Sequence, residues 1–106
     1  MSGTVAELSS EFASRLREAI DLCRELGYSP SRFEQMLNSS PSAVLLAKKL
    51  AVSSELQDGL KRIAKLGRLE LAMESIMLEE QFKPLFSDQI LQAARWRLDT
   101  VRSGLE

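Results

Sequence analysis

Apolar residues recur at steps of three and four along most of the chain, which is the spacing of amphipathic α-helices. The first stripe runs from Thr4 to Leu26 and comprises Leu8, Phe12, Leu16, Ala19, Ile20, Cys23 and Leu26. Gly27 follows it and favours a helix end, because glycine readily takes the left-handed backbone conformation. We find no alternating strand pattern of convincing length. The sequence therefore predicts an all-α fold, a single compact bundle of about five to six short-to-medium helices in one domain, residues 1–106.

Serine and proline mark the next two helix starts. In Ser29-Pro30 and Ser40-Pro41 a hydroxyl residue that can cap a helix precedes a proline, which favours the first helical position. We expect the first of these helices to bury Phe33, Met36 and Leu37. The second should run from roughly Pro41 to Ala51 and turn inward Val44, Leu45, Ala47, Leu50 and Ala51.

A fourth helix is expected to be capped by Ser53 or Ser54 and to end at Gly67. Its apolar side would carry Leu56, Leu60, Ile63 and Ala64. A last helix should begin at the caps Ser87 and Asp88 and run to about Ser103. Its buried stripe would consist of Ile90, Leu91, Ala94, Leu98 and Val101.

The stretch GRLELAMESIMLEEQFKPLF, residues 67–86, predicts a fifth helix that stops before Pro84, because proline lacks an amide donor and restricts the residue before it. One face of this helix would comprise Leu69, Ala72, Met73, Ile76 and Met77. After it, three apolar residues are expected to turn back into the core: Phe82, Leu85 and Phe86.

Composition supports a folded, intracellular protein. Hydrophobic residues make up 44% of the chain and charged residues 27%, which is typical of globular domains. The single Cys23 lies on an apolar helical stripe, so we expect a buried thiol and a reducing compartment. No apolar run approaches the ~20 residues that cross a bilayer. We therefore expect a cytoplasmic protein without a membrane segment.

The chemistry available for catalysis is limited. The chain has no histidine, so a serine or cysteine nucleophile lacks its usual base and a Cys/His zinc site is excluded. Glu70 and Glu74 lie one helical turn apart and could be read as cation ligands, but a solvated or capping role at a helix start suits them better. We expect a non-enzyme with no catalytic, cofactor-binding or metal-binding residue.

A basic middle region lies within a chain whose formal net charge is −1. Residues 46–63, LAKKLAVSSELQDGLKRI, resemble a degenerate helix-turn-helix, with the packing and cap positions of that motif taken by Ala47, Leu50, Val52 and Ser53. Ala51 replaces the usual turn glycine, and Gln57 occupies a position that is normally apolar. Three basic residues at steps of four and three are candidates for phosphate contacts: Lys61, Lys65 and Arg68. Nucleic-acid binding is therefore the alternative function, and a solvated basic face is the other interpretation.

Trp96 lies outside the buried stripe of the last helix. At 100° per residue it points about 200° away from Ala94, the centre of that stripe. An exposed tryptophan is a common anchor of protein interfaces. The alternative is that it packs over a neighbouring helix or over the N-terminal segment.

LGYSPSRFEQML and LQDGLKRIAKLGRLELAMESIMLEEQFKPLFSDQILQAARWRL together resemble a widespread group of small uncharacterised bacterial proteins and domains. Their shared pattern includes Gly-Tyr, an Asp-Gly step, Gly-Arg-Leu-Asp-Leu, a glutamate, and an acidic-Phe-Leu-Phe ending before Ala-Arg and Leu. The resemblance covers Leu26 to Leu98, although Leu60 replaces an aromatic residue and Glu70 an aspartate. It implies a small helical module, standalone or appended, sometimes beside restriction-type or other defence systems, with no activity attached.

Together these features predict a non-enzymatic helical module for protein–protein interaction or an accessory role. It would bind a protein partner or a second copy of itself, with a link to bacterial defence implied by the resemblance. Four residues are candidates for the contact: Arg68, Glu70 and Glu74, which we expect at the surface, and Trp96. For Arg68, pairing with a nearby carboxylate is an equally open interpretation.

Overall fold

The computed structural model of the chain describes residues 4–53 and 57–104, without the side chain of Gln57. All regular elements in these ranges are helical, so the predicted all-α fold is confirmed. The α-helices are α1 (Val5–Glu25), α2 (Ser31–Ser39), α3 (Ala43–Ala51), α4 (Gln57–Lys65), α5 (Met73–Met77) and α6 (Asp88–Gly104). Two 3-10 segments flank α5, η1 (Leu69–Leu71) and η2 (Glu80–Leu85).

Glycine ends two helices as predicted. Gly27 has φ +92° and Gly67 has φ +72°, values that disfavour residues with a Cβ. After α1, the Gly27 amide donates to the Arg24 carbonyl at 3.0 Å and the Tyr28 amide donates to the Cys23 carbonyl at 2.9 Å. This pair of bonds is the Schellman arrangement, which satisfies carbonyls at the helix end and fixes the direction of the following residue.

The predicted starts of α2 and α3 are wrong by one to two residues. Pro30 itself is the N-cap of α2, and no side chain caps that helix. Ser42 caps α3 instead of Ser40, because the Leu45 amide donates to the Ser42 hydroxyl at 3.4 Å. The expected cap Ser40 donates its own hydroxyl to the Ser42 carbonyl at 2.9 Å. The competing cap Ser54 and the expected apolar residue Leu56 of α4 lie outside the described residues.

The prediction of one continuous fifth helix that begins after Gly67 and stops before Pro84 is also wrong. The chain breaks at Ala72, whose ψ of 145° is extended, and three short helical segments replace one long helix. The Ser75 hydroxyl donates to the Leu69 carbonyl at 2.6 Å across this break. Pro84 lies inside η2, where the short hydrogen-bond pattern tolerates its missing amide donor.

The core forms around α1 and α5. Phe12 of α1 packs edge-on against Phe82, with ring centroids 5.4 Å apart, and against Phe86 at 5.3 Å. Phe82, Leu85 and Phe86 are buried, as predicted. Leu45, predicted to point inward, is exposed, and Leu46 takes the buried position on α3.

A second, smaller apolar cluster attaches α4 to the rest of the bundle. Leu60 and Ala64 of α4 pack there with Leu98 and Val101 of α6. Ala72, at the break that precedes α5, completes the cluster. The radius of gyration of the Cα trace is 13.1 Å, the value expected of a compact domain of about 100 residues. Among the described residues, no helix is long and apolar enough to cross a membrane.

Candidate functional site

The four predicted contact residues do not form one surface. Glu74 was expected at the surface, and that expectation is wrong, because it is 4% exposed. The Arg97 Nε donates to Glu74 Oε2 at 2.6 Å, and Arg97 is equally buried. A second nitrogen of the guanidinium, Nη1, donates to the backbone carbonyl of Ser53. This buried pair joins α5 to α6 and to the end of α3.

The burial of Glu74 follows from the position of α5 inside the bundle. The predicted apolar face of this helix, Met73, Ile76 and Met77, is buried as expected, but α5 packs against α1, α3 and α6, so Glu74 beside that face is enclosed as well. Four of the five α5 residues are buried: Met73, Glu74, Ile76 and Met77. A carboxylate on such a helix needs a cationic partner, since an unpaired buried charge is very costly.

Sequence analysis missed Arg97. A signal was present, since Arg97 is three residues after Ala94 and four before Val101, on the apolar stripe of α6. A charged residue on an apolar stripe indicates a buried polar contact. Its partner could not be read from the sequence, because the two residues lie 23 positions apart.

Arg68 and Glu70 remain at the surface and pair with each other. Arg68 follows the Gly67 turn, and its Nε donates to Glu70 Oε2 at 2.6 Å. The side chains are 40% and 58% exposed, respectively. The hydrogen bond from Arg68 holds the pKa of the Glu70 carboxyl below its ordinary value of 4.5. The pairing interpretation of Arg68 is therefore confirmed.

Trp96 is exposed, and its predicted position outside the buried stripe of α6 is confirmed. Its exposed fraction is 62%, the highest of any aromatic side chain in the described ranges. Two more large apolar residues are exposed at α3, Leu45 within the helix and Val52 as its C-cap. They are seven residues apart and so lie on one side of that helix. The helices α3 and α6 pack against each other.

The predicted helix-turn-helix packing is not present in the described part of residues 46–63. Ala47 and Leu50 are buried, but Val52, assigned a packing position, is exposed. The helix α4 packs chiefly against α6 and η1 rather than against α3. Lys61 and Lys65 are exposed on α4, as a basic surface requires.

A pocket of about 520 Å³ opens between the C-terminal half of α1, α4 and α5. Behind it lie core side chains that contribute almost no accessible surface, namely Leu16, Ile20, Cys23, Leu50, Leu71 and Met73. Its polar residues are Arg32, Asp58 and Arg62, Tyr28 just after the Gly27 turn, and the buried pair of Glu74 with Arg97. The pocket therefore combines an apolar interior with charged groups from several elements.

Contacts around Tyr28 define one wall of this pocket. The Arg62 guanidinium lies over the Tyr28 ring, 5.3 Å from its centroid. The Tyr28 hydroxyl lies 3.0 Å from the position that a Cβ at Gly59 would occupy, so glycine allows the ring to approach α4. Burial raises the pKa of the Tyr28 phenol, and the Arg62 charge opposes that shift.

The Cys23 thiol is buried, which confirms the expectation from its place on the apolar stripe of α1. Burial likewise raises the pKa of this thiol.

Within residues 4–53 and 57–104, no group of three or more cysteine, aspartate or glutamate residues is arranged to hold a metal ion. No protein-family model, curated protein sequence or solved structure matches the chain.

Proposed function

We propose that the chain is a non-enzymatic helical interaction module that associates with a second copy of itself through the exposed side of α6. The observation that carries this proposal is the 62% exposure of Trp96. Tryptophan is enriched among the residues that dominate interface energies, because its large ring buries much area at little cost in conformational entropy. A large ring left in solvent by its own bundle favours contact with another chain.

A two-fold contact suits a chain with one tryptophan. In such an interface the same patch is used by both copies, so each exposed residue contributes twice. Leu45 of α3 and the C-cap residue Val52 supply further exposed apolar area on a helix packed against α6. Arg68 and Glu70 are polar candidates at the rim of the contact. Glu74 is not among them, because it is buried.

Sedimentation velocity over a concentration series tests this proposal. We expect a reversible dimer whose dissociation constant rises at least about thirtyfold in Trp96→Ala, the ~2 kcal/mol loss that marks a hot-spot residue. The free energy of unfolding of the monomer should change by less than ~0.5 kcal/mol, because the ring is exposed. Leu26→Ala is the control, since it removes an exposed apolar side chain at the C-cap of α1, outside α6.

Two results would contradict the proposal. One is a wild-type chain that stays monomeric at every concentration. The other is a dimer that Trp96→Ala leaves equally stable, or that Leu26→Ala weakens as much.

Nucleic-acid binding is the second candidate, favoured by one observation. Lys61 and Lys65 are exposed and lie four residues apart, on the same face of α4. Arg68 supports this function less, because its guanidinium is bound to Glu70.

Fluorescence anisotropy with labelled duplex DNA tests the second candidate. If α4 binds phosphates, affinity should fall steeply between ~50 and ~200 mM salt, and Lys61→Glu with Lys65→Glu should abolish binding. Arg17→Glu on α1, a charge reversal at another exposed residue, is the control for each single lysine reversal and should have little effect. Equal losses in both variants would instead indicate a general charge effect.

A further inference from the structure

We propose that α4 is a lid that opens as a unit while the rest of the bundle stays folded, and that its opening admits solvent to the pocket and to Cys23. The lid and the proposed self-association are independent, because Trp96 neither lines the pocket nor belongs to the apolar cluster that holds α4. The attachment of α4, the space beneath it and the residues at its two ends support this proposal.

The helix α4 contributes little to the core. Of its described side chains only Leu60 and Ala64 are buried, whereas α1 and α6 bury five residues each. Both belong to the smaller apolar cluster, and the half-buried Ile63 is the α4 side chain that also reaches the main core. A helix of nine residues is too short to be stable in water by itself, and Gly59 lowers its helical propensity further. Dependence on few buried contacts is typical of segments that open locally.

The pocket separates α4 from the side of α1 that carries Cys23. Gly59, Arg62 and Ile63 line it from α4, and Ala19 and Cys23 line it from α1. Its volume of about 520 Å³ means that α4 spans a space here instead of packing closely against α1. The main packing partners of α4 are α6 and η1. Movement of α4 away from α1 therefore breaks few apolar contacts with the main core.

One wall of the pocket is charged. The buried pair of Glu74 with Arg97 lines it, beside the end of α3. Burial of two charges costs hydration energy, which their mutual attraction offsets only in part. When α4 opens, water reaches this wall and restores part of that hydration. The charged wall therefore lowers the free energy of opening.

Tyr28 acts as a latch between α4 and the end of α1. The Arg62 guanidinium lies over its ring, 5.3 Å from the centroid, and its hydroxyl fits against Gly59. A cation stacked on a ring at a partly exposed position is a weak contact. The latch therefore favours the closed position of α4 without fixing it.

The chain on either side of α4 has points about which the helix can move. Before it, the Ser53 carbonyl accepts a hydrogen bond from Arg97, which holds the end of α3 in place. After it, Gly67 has φ +72°, and glycine tolerates the changes in backbone angles that a hinge requires. The helix can therefore swing out while α3 and α5 keep their positions.

Native-state hydrogen exchange at increasing, sub-denaturing urea tests the lid. Amides at the end of α4, such as that of Leu66, which donates to the Arg62 carbonyl at 3.1 Å, should exchange through local opening. We expect the equilibrium constant of this opening to exceed that of global unfolding at least about thirtyfold. Amides near Leu16 in α1 should exchange only by global unfolding. Reaction of the single Cys23 with an aromatic disulfide reagent should follow the opening constant of α4.

Two leucine substitutions separate local opening from global unfolding. Leu60→Ala removes a contact that opening breaks, so the opening constant should rise at least about tenfold. Leu91 lies in the main core and outside the cluster that holds α4. Leu91→Ala should therefore raise the constant of global unfolding and leave the opening constant within about twofold.

A second pair of variants keeps the test decisive if Leu60→Ala folds poorly. Arg62→Ala releases the Tyr28 latch and should raise the opening constant about threefold. Lys61→Ala makes a similar change at the neighbouring exposed residue, which does not line the pocket, and should leave the constant unchanged.

Three results would overturn the proposal. In the first, the α4 amides exchange only by global unfolding. In the second, a control matches its partner, so that Leu91→Ala raises the opening constant as much as Leu60→Ala, or Lys61→Ala as much as Arg62→Ala. In the third, Cys23 reacts only at the rate set by global unfolding although α4 opens.

Discussion

Two arginine–glutamate pairs of identical length occupy opposite environments in this protein. The Nε–Oε2 distance is 2.6 Å both in Arg68–Glu70 and in Arg97–Glu74. The first pair lies at the surface, after the turn that ends α4. The second is almost fully buried between α5 and α6, beside the pocket. The length of an ion pair therefore does not show how much the pair contributes to stability, whereas the burial of its two side chains does.

The difference follows from what each charge would meet if its partner were lost. At the surface, water replaces the partner, so the pair contributes little to stability. In the interior, an unpaired charge loses its hydration and gains nothing in return. The buried pair thus makes the arrangement of α5, α6 and the end of α3 depend on its two members, while the surface pair leaves its residues available for other contacts.

Breaking the buried pair should have the largest effect. Arg97→Leu leaves the Glu74 carboxylate buried without its partner and should lower the free energy of unfolding by about 3 to 5 kcal/mol. Urea denaturation followed by circular dichroism measures this change. Arg102→Leu, an exposed arginine on the same helix, is the control and should cost less than ~0.5 kcal/mol. Equal effects of the two substitutions would refute the distinction between the pairs.

Replacing both members of the buried pair should recover most of that loss. In the double variant with Glu74→Leu and Arg97→Met, no charge is left unpaired and the volume is still filled. We expect it to be more stable than either single variant by at least ~2 kcal/mol, as measured in a double-mutant cycle. A double variant that is less stable than both single variants would show that the Ser53 carbonyl or the packing depends on the charges themselves.

Breaking the surface pair should have the smallest effect. Arg68→Ala should change the free energy of unfolding by less than ~1 kcal/mol, and less at high salt. It should also raise the pKa of Glu70 toward 4.5, because it removes the hydrogen bond that lowers it. A carboxyl-carbon titration by nuclear magnetic resonance measures this pKa.

The lowered pKa of Glu70 determines how the pair of Arg68 with Glu70 changes the free energy of unfolding with pH. Because Glu70 binds its proton less readily in the folded state, its stabilising contribution is present above pH 4.5 and is lost as the pH falls through the folded pKa. Arg68→Ala should abolish this part of the acid dependence. A pKa of Glu70 that stays the same in Arg68→Ala would mean that another group lowers it.

Much of the fold could be predicted from the sequence because it depends on local signals. The apolar stripes located α1 and α6, and single glycines located the ends of α1 and α4. The break at Ala72 was not predicted, since the residues around it are strong helix formers and the contact that stabilises the break, the Ser75 hydroxyl donating to the Leu69 carbonyl, has no sequence pattern of its own. Glu74 was predicted at the surface because an amphipathic helix with one exposed side was assumed, whereas α5 is packed against α1, α3 and α6.

The candidate sites also differ in whether local sequence signals or contacts between distant residues determine them. The position of Trp96 outside the buried stripe of α6 follows from one helix and its angle to Ala94, so the sequence predicted it, whereas the sequence left open whether a neighbouring segment covers the ring. The pocket depends on α1, α4 and α5 meeting around Tyr28 and Arg62, and no local pattern signals such a meeting. Arg97 was detectable only as an exception on an apolar stripe, and its role required its distant partner.

The most direct test of the proposed self-association is the emission spectrum of Trp96 as the protein is diluted. Because the chain has a single tryptophan, its emission reports on that one side chain. We predict a shift toward longer wavelength on dilution, with a midpoint equal to the dimer dissociation constant from sedimentation. An emission maximum typical of a solvent-exposed indole at every concentration would contradict the account, because Trp96 would then make no contact with a second chain.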